Sequence, residues 1–389
     1  MVHKGDSIIG RSRSDDVTAV KSVVPSVKSV VPSSRKMCQE PSLSDRTGNA
    51  ANPLSPNVKR RMYPRIQRHA PAELLFQIGE MLKDRWLIKG LIGCGGYGQI
   101  YFAVDQKVTE GVAIKVEPTK RRGKTVRRMI LEQRVLLRLQ GRPHVPLMFG
   151  SGVEPDKSVN YIVMQLLSVN VGDLRKQSTL KRLSISTTAR IMQQAIAALR
   201  DVHLIGYLHR DVKPANMCFG LSETSKHRLV LVDFGLVRRF KTADGKPREK
   251  RPRAGFRGTL RYVSPRVHDR EEQGPSDDLI ALFYAMIELI RSELPWRSKQ
   301  HQKEIKEAKD ELKADDLQKV SEGIGEPFRE YGKAVLAMSA EEEPNYAALQ
   351  DFMKELSGGK QLNDPYDWEN EYADVIAETE LNKLLKLTV

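Results

Sequence analysis

The sequence predicts an α+β protein of two lobes: an antiparallel β-sheet carrying one helix, then a larger helical lobe. Three observations point there. Between Arg85 and Pro118, short β-rich runs are separated by glycine and charged turns. Further on, apolar residues recur at helical spacing. The stretch that carries both patterns, residues 80–357, is long enough for two cores with a cleft between them.

In chain order, RWLIKGLIG, QIYFAVD and GVAIKVEP read as a meander of antiparallel strands. Residues 125–140 set Met129, Leu131, Val135, Leu136 and Leu139 at helical spacings, and two strand-like runs follow near 147–152 and 160–166. Residues 187–206 place Ala189, Met192, Ile196, Leu199 and Val202 along one helix face. Leu279, Leu282, Phe283, Met286 and Leu289 do the same near 276–291. Strands first and helices after give the α+β class.

The flanks differ in composition. Residues 1–79 form a basic Ser/Pro/Val-rich tail that is expected to be disordered, because it has too little to bury to offset its ordering entropy. Within it VKSVVPS occurs twice, at 20–26 and 27–33, where Pro25 and Pro32 prevent a continuous heptad helix. Residues 358–389 are an acidic, aromatic extension that could dock on the body. The net charge of +15 is local: residues 1–72 hold 13 Lys/Arg against 5 Asp/Glu, and residues 238–266 hold eleven against two. Removing both leaves the remainder at −2, so an anion is expected to meet 238–266. A specific nucleic-acid role is set aside, since neither a recognised module nor interleaved aromatics accompany the basic runs.

No run of about 18 apolar residues is present, so no membrane partner is expected, and MVHKGDSIIG lacks the apolar core of a secretory signal. Three cysteines (Cys38, Cys94, Cys218) without a CxxC pair give no disulfide framework and no zinc site. A reducing compartment follows, the cytoplasm, with KRRMYPRIQR at 59–68 as a candidate nuclear address.

Four motifs carry chemistry. Gly93-Cys94-Gly95-Gly96-Tyr97-Gly98-Gln99-Ile100 fits GxGxxGxV, whose glycines let backbone N–H groups approach phosphates. A dinucleotide-binding fingerprint shares that spacing but opens into a helix; QIYFAVD continues as a strand, so the hairpin reading is preferred. Val112-Ala113-Ile114-Lys115 ends a strand in a cation, and with Glu132 on the next helix it reads as a phosphate-holding pair, the alternative being a snorkelling lysine. His209-Arg210-Asp211-Val212-Lys213-Pro214-Ala215-Asn216 supplies a carboxylate to accept a hydroxyl proton, a lysine for a transferring phosphoryl group and an amide for Mg²⁺. Asp233-Phe234-Gly235 follows an apolar strand, its carboxylate suited to a metal bridging ATP phosphates. Met164 reads either as core or as the back wall of an adenine pocket.

In this order the motifs resemble those of a eukaryotic protein kinase over about residues 80–357. Ser264-Pro265-Arg266 stands where Ala-Pro-Glu is usual. That departure, with Phe256-Arg257-Gly258-Thr259-Leu260-Arg261-Tyr262, Asp277-Asp278-Leu279 and Leu294-Pro295-Trp296, is similar to the casein kinase 1 superfamily. RPRAGFRGTLRYVS, VMQLLSVNVGDLRK, LPWR and DPYDWE are most similar to the tau-tubulin kinases. The resemblance implies a Ser/Thr kinase that uses ATP and Mg²⁺ as a monomer on acidic or primed protein substrates, cytoskeletal ones among them. The alternative is a pseudokinase scaffold on the same fold. It also implies roles: Asp211 as catalytic aspartate, Lys213 as phosphate lysine, Asn216 and Asp233 as metal ligands, and Lys115 with Glu132 positioning ATP. Ile92, Gly93, Gly95, Gly98, Ile100, Ala113, Met164, Gln165 and Leu167 would enclose the nucleotide, and Arg261 with Arg257 would read a substrate anion. Pro265 and the basic run TKRRGKTVRR depart from the family pattern.

Overall fold

A computed structural model of the chain describes residues 62–67, 73–96, 98–312 and 317–370. The VKSVVPS repeat, most of the basic tail and the end of the acidic extension lie outside the described residues. Six strands form one antiparallel sheet: β1 (Met81–Leu82), β2 (Trp86–Gly95), β3 (Gly98–Asp105), β4 (Glu110–Pro118), β5 (Met148–Glu154) and β6 (Val159–Gln165), in the order β1-β2-β3-β4-β6-β5. The alternation of the sequence puts Ile88, Tyr101, Ile114, Val116 and Val163 into a core under this sheet. The helix α1 (Arg128–Leu139) lies between β4 and β5. It starts three residues later than its periodicity suggests, because Lys124–Thr125 pairs instead with Lys120–Arg121 in a small ribbon.

The helical lobe holds α2 (Val171–Gln177), α3 (Ile185–Leu204), α4 (Pro275–Arg291), α5 (Gln302–Asp310), α6 (Glu326–Ala337) and α7 (Tyr346–Leu356), with a five-residue helix at Leu317–Ser321. Asn170 and Ser184 cap α2 and α3 by accepting from the N–H groups of Asp173 and Thr187. The sequence singles out one apolar face of α4, yet every residue from Pro275 to Ile290 is buried, with α3 and α6 packed against it. A helix enclosed on all sides is a central pillar, not a surface element. Among the described residues no helix is long and apolar enough to cross a membrane.

Part of the basic tail departs from expectation by packing into the body, and residues 361–369 of the acidic extension dock there, as its aromatic residues allowed. Met62–Gln67 forms a strap from the start of the helical lobe to the sheet, with the Val169 N–H donating to the Met62 carbonyl (2.7 Å) and the Gln67 N–H to that of Leu91 (2.8 Å). Tyr63 on this strap is buried, and Phe76 meets Tyr101 edge-on at 6.0 Å in the sheet core. The only two aromatic residues of the tail, Tyr63 and Phe76, both fall here. Beyond α7, Tyr366 and Trp368 stack at 4.8 Å and both rings reach Phe219, at 5.1 and 5.2 Å. Between them the Asp367 carboxylate accepts from Ser184 N (2.6 Å), Ser184 Oγ (2.7 Å) and Thr187 Oγ1 (2.7 Å), adding an anion to the positive end of α3. The Arg190 guanidinium covers Tyr366 at 4.2 Å and donates to the carbonyls of Gln361, Asp364 and Pro365.

Trp368→Ala is therefore expected to lower unfolding stability by about 3–5 kcal/mol, the loss typical of removing a buried large aromatic ring. Urea denaturation followed by fluorescence measures it, and an unchanged midpoint would show that the extension adds nothing to the core.

Candidate active site

The glycine motif is the tip of the β2–β3 hairpin: Gly93 faces Ile100, Cys94 faces Gln99, and Gly95 faces Gly98. Gly98 has φ +134°, and a Cβ there would collide with the Val116 carbonyl, so only glycine lets the hairpin lie this close to β4. Ile92, Ile100, Ala113 and Met164 gather in one apolar cluster with Phe102, Val104 and Leu166 from the sheet side, and Leu221 reaches it from the helical lobe. Ala113 and Met164 are register partners on β4 and β6, which aims both at the same cleft. Met164 also touches the main core. Gln165 ends β6, and Leu167 packs on Cys218, Val230 and Val232 below the cleft. Ile66 of the strap joins the apolar cluster as well, a contact nothing in its local sequence announced.

Lys115 lies two residues beyond Ala113 on the same face of β4. Its Nζ donates to both Glu132 oxygens (2.7 and 2.8 Å) and to Asp233 Oδ1 (2.8 Å). Burial opposes its charge, but the Asp233 and Glu132 carboxylates more than compensate and hold Lys115 above the ordinary lysine range. Burial raises Glu132, with Lys115 only partly offsetting it. Asp233 is depressed to about 2, burial being outweighed by Lys115. The ammonium thus joins β4, α1 and the Asp-Phe-Gly turn at one point.

The short strand Tyr207–Leu208 and the turn Pro214–Asn216 bracket the loop that carries Asp211. Asp211 Oδ1 accepts from Thr259 Oγ1 (2.7 Å), and Oδ2 pairs with Lys213 Nζ (2.9 Å), which also donates to Thr259 Oγ1 (2.9 Å). Asn216 Nδ2 donates to the Asp211 carbonyl (2.8 Å), which fixes the amide so that its oxygen is the end left for a ligand. The loop hangs on α4: Asp278 accepts from the backbone N–H groups of His209 and Arg210 (2.8 Å each), and its Oδ2 lies 2.9 Å from His203 Nε2. Asp278 is depressed despite its burial, because the hydrogen bonds from His203 and His209 favour the carboxylate. Arg210 and Asp233 both take left-handed φ values, 67° and 65°, strain that the surrounding bonds sustain.

Asn216 and Asp233 are neighbours through the Val232 N–H, which donates to the Asn216 carbonyl (2.9 Å). One amide oxygen and one carboxylate fit a hard cation that takes its remaining ligands from phosphates and water, as Mg²⁺ does. No group of three or more His, Cys, Asp or Glu able to hold a metal by itself is present among the described residues.

The basic segment corrects one expectation. Four of its eight arginines are matched by carboxylates outside the segment: Arg238 and Arg251 by Glu272 (both 2.6 Å), Arg266 by Asp277 (3.1 Å) and Arg261 by Glu288 (3.2 Å). Glu288 also accepts from the Tyr262 hydroxyl at 2.5 Å. Arg261 is therefore engaged inside the lobe, whereas Arg257 is exposed, with one guanidinium N–H donating to the Phe256 carbonyl (2.8 Å). A count of charges could not show this, because the partners lie 11 to 34 residues away in sequence. Pro265 occupies the first position of a one-turn helix, Pro265–His268, where its missing N–H costs nothing.

Residues 86–356 match the family model of the protein kinase domain. Over 297 residues the chain is 45% identical to a Caenorhabditis elegans protein whose name assigns it to casein kinase I, covering 76% of this chain and 86% of that one. A Dictyostelium discoideum protein named as a serine/threonine-protein kinase is 36% identical over 296 residues, covering 76% of this chain and 58% of its own. The serine/threonine-protein kinase spe-6 of Caenorhabditis elegans is 30% identical over 293 residues, covering 74% and 76%.

Asp278→Asn replaces a buried acceptor by a partial donor facing two N–H groups, so it is expected to cost about 2–4 kcal/mol of stability. In the unaltered protein, the contribution tied to this depressed carboxylate is present above about pH 4 and lost as pH falls through its folded-state value. Urea melts of both forms at pH 7 check the cost, and equal midpoints would show that the carboxylate does not hold the loop.

Proposed function

The chain belongs to the protein kinase family and is a protein serine/threonine kinase, and on that premise we propose that its acceptors are acidic or already phosphorylated protein segments, cytoskeletal ones among them. We place it in the casein kinase 1 superfamily, of tau-tubulin type. The name of the 45% identical relative supports the superfamily, and the tau-tubulin type rests on the sequence signatures.

In this reading the hairpin glycines offer N–H groups to the ATP phosphates, and Ile92, Ile100, Ala113, Met164 and Leu167 enclose the adenine, with Gln165 beside it at the hinge. Lys115, steered by Glu132, contacts phosphate oxygens. Mg²⁺, held by Asn216 and Asp233, neutralises charge on the phosphates when bound. Asp211 orients the acceptor hydroxyl and takes its proton, while Lys213 stands against the charge of the transferring group. The single observation that carries this assignment is the meeting of Asp211, Lys213, Asn216 and Thr259 within 3.3 Å contacts, one loop away from the Lys115–Asp233 bridge.

What supports acidic or primed acceptors is the gathering of cations beside Asp211. Burial, together with nearby Arg238, Arg251 and Arg257, pulls Arg210 down to about 10. Glu272 answers Arg238 and Arg251, but no carboxylate partner accompanies Arg257 among the described residues. Arg257, with its fork-shaped donor set exposed, is therefore the stronger candidate to hold a phosphate or carboxylate, ahead of Arg261.

Asp211→Asn is expected to leave nucleotide binding nearly intact and to cut phosphoryl transfer by about 10² or more. Normal turnover in that variant would overturn the role given to Asp211 and leave a scaffold reading in its place. Arg257→Ala is expected to lower kcat/KM about tenfold on a peptide with an upstream phosphoserine, the loss of one charge-assisted contact, and much less on the matched neutral peptide. Equal losses on both peptides would mean that Arg257 does not read the anion.

A further inference from the structure

Lys309 is a lysine in an unusual place. It lies on α5, far in sequence from every motif residue, and it is 2% exposed. Its ammonium has no carboxylate within ion-pair reach among the described residues. It donates instead to the carbonyls of Leu260 (2.8 Å) and Val263 (2.7 Å) and toward His268 Nε2 (3.1 Å), and it stands over the rings of Trp296 (5.3 Å) and Tyr284 (5.4 Å). Three N–H donors meet three acceptors, which is complete satisfaction for an ammonium; a neutral amine has one donor fewer. The two carbonyls belong to the segment that continues from Thr259, the residue bonded to both Asp211 and Lys213. The carbonyl between them, that of Arg261, is held by Trp296 Nε1 (2.9 Å). Both α5 and Trp296 thus grip the backbone just downstream of Thr259.

We propose that Lys309 is a positioning residue for the acceptor substrate: its ammonium fixes the carbonyls of Leu260 and Val263, and so sets the shape of the Thr259–Ser264 segment against which the acceptor peptide lies. This rests on the kinase reading and deepens it. The same bonds make the segment sensitive to pH. Burial alone pulls Lys309 down to about 7, while burial and then the Lys309 charge hold His268 at about 4, so His268 stays neutral and accepts through Nε2. The other groups around this pocket are Tyr284 from α4, which titrates far above neutrality, Asp310 and Asp269, both held by Lys306 at 2.8 and 3.3 Å, and Arg270, set over the Phe256 ring at 5.0 Å. Where Lys309 loses its proton, two N–H donors remain for three acceptors and the grip on the segment weakens.

The test is steady-state kinetics of the full chain with an unphosphorylated peptide, varying peptide and ATP separately. Lys309→Met, close in length and without donors, is expected to raise the peptide KM about tenfold at pH 6.5 while the ATP KM stays within twofold. The unaltered enzyme is expected to show a peptide KM several times higher at pH 8 than at pH 6.5, a slope the variant lacks. Parallel rises in both KM values, or an unchanged peptide KM in the variant, would overturn the proposal. Should Lys309→Met not fold, Lys309→Gln, whose side chain is too short for its amide to reach both carbonyls, decides instead: an unchanged peptide KM in that variant overturns the positioning role while leaving transfer intact. An unaltered enzyme with no transfer at any pH would instead overturn the kinase reading together with this one.

Discussion

A carboxylate buried at the start of α4 is the point from which the transfer site is hung. Asp278 sits in the first turn of a helix that is enclosed on all sides, so it cannot move without disturbing the helical lobe. It receives two consecutive backbone N–H groups, from His209 and Arg210, together with the His203 ring. These bonds favour the charge that burial alone would forbid, and the positive end of α4 adds to them. In return the loop that carries Asp211, Lys213 and Asn216 takes a left-handed turn at Arg210 that an unsupported chain would avoid. The reactive groups are precise because their support is helical and rigid.

A second junction works across the cleft. Lys115 answers Glu132 within the β-rich lobe and Asp233 in the segment that follows the short strand Leu229–Leu231. Neither carboxylate would tolerate burial without the ammonium, and the ammonium would not tolerate it without them. Such a pair contributes little net stability, since desolvation cancels much of the attraction. What it secures is registration: β4, α1 and the Asp-Phe-Gly turn must arrive together for any of the three charges to be satisfied.

How far the sequence reached depends on how local each signal is. Gly98, Lys115, Asp211, Asn216 and Asp233 announce themselves in short motifs, and the strands and long helices follow from periods of 2 and 3.6. The partner of Lys115 was legible too, because Glu132 falls on the next element. The pairing of Arg261 with Glu288 was not, nor that of Arg238 with Glu272, because a count of charge in a window says nothing about carboxylates supplied by another helix. Lys309 escaped for the same reason: on α5 it looks like one more surface lysine among Lys303 and Lys306, and only the fold turns it inward. Composition misled at the N-terminal flank, where the average over a polar tail concealed two apolar anchors, Tyr63 and Phe76, whereas the aromatic residues of the C-terminal extension already allowed the docking that Tyr366 and Trp368 provide.

The stacked Tyr366 and Trp368 have a consequence in time. Ser184, which begins α3, is joined to Asp367 across 183 residues of chain. At about 5–20 residues per second of synthesis, some 10–40 s separate the appearance of the two. Throughout that interval the start of α3 lacks its carboxylate clamp and Phe219 lacks the two rings that cover it. The nascent helical lobe is thus exposed along one edge until Trp368 has been made, and that edge is where a holding chaperone would find an apolar surface to bind.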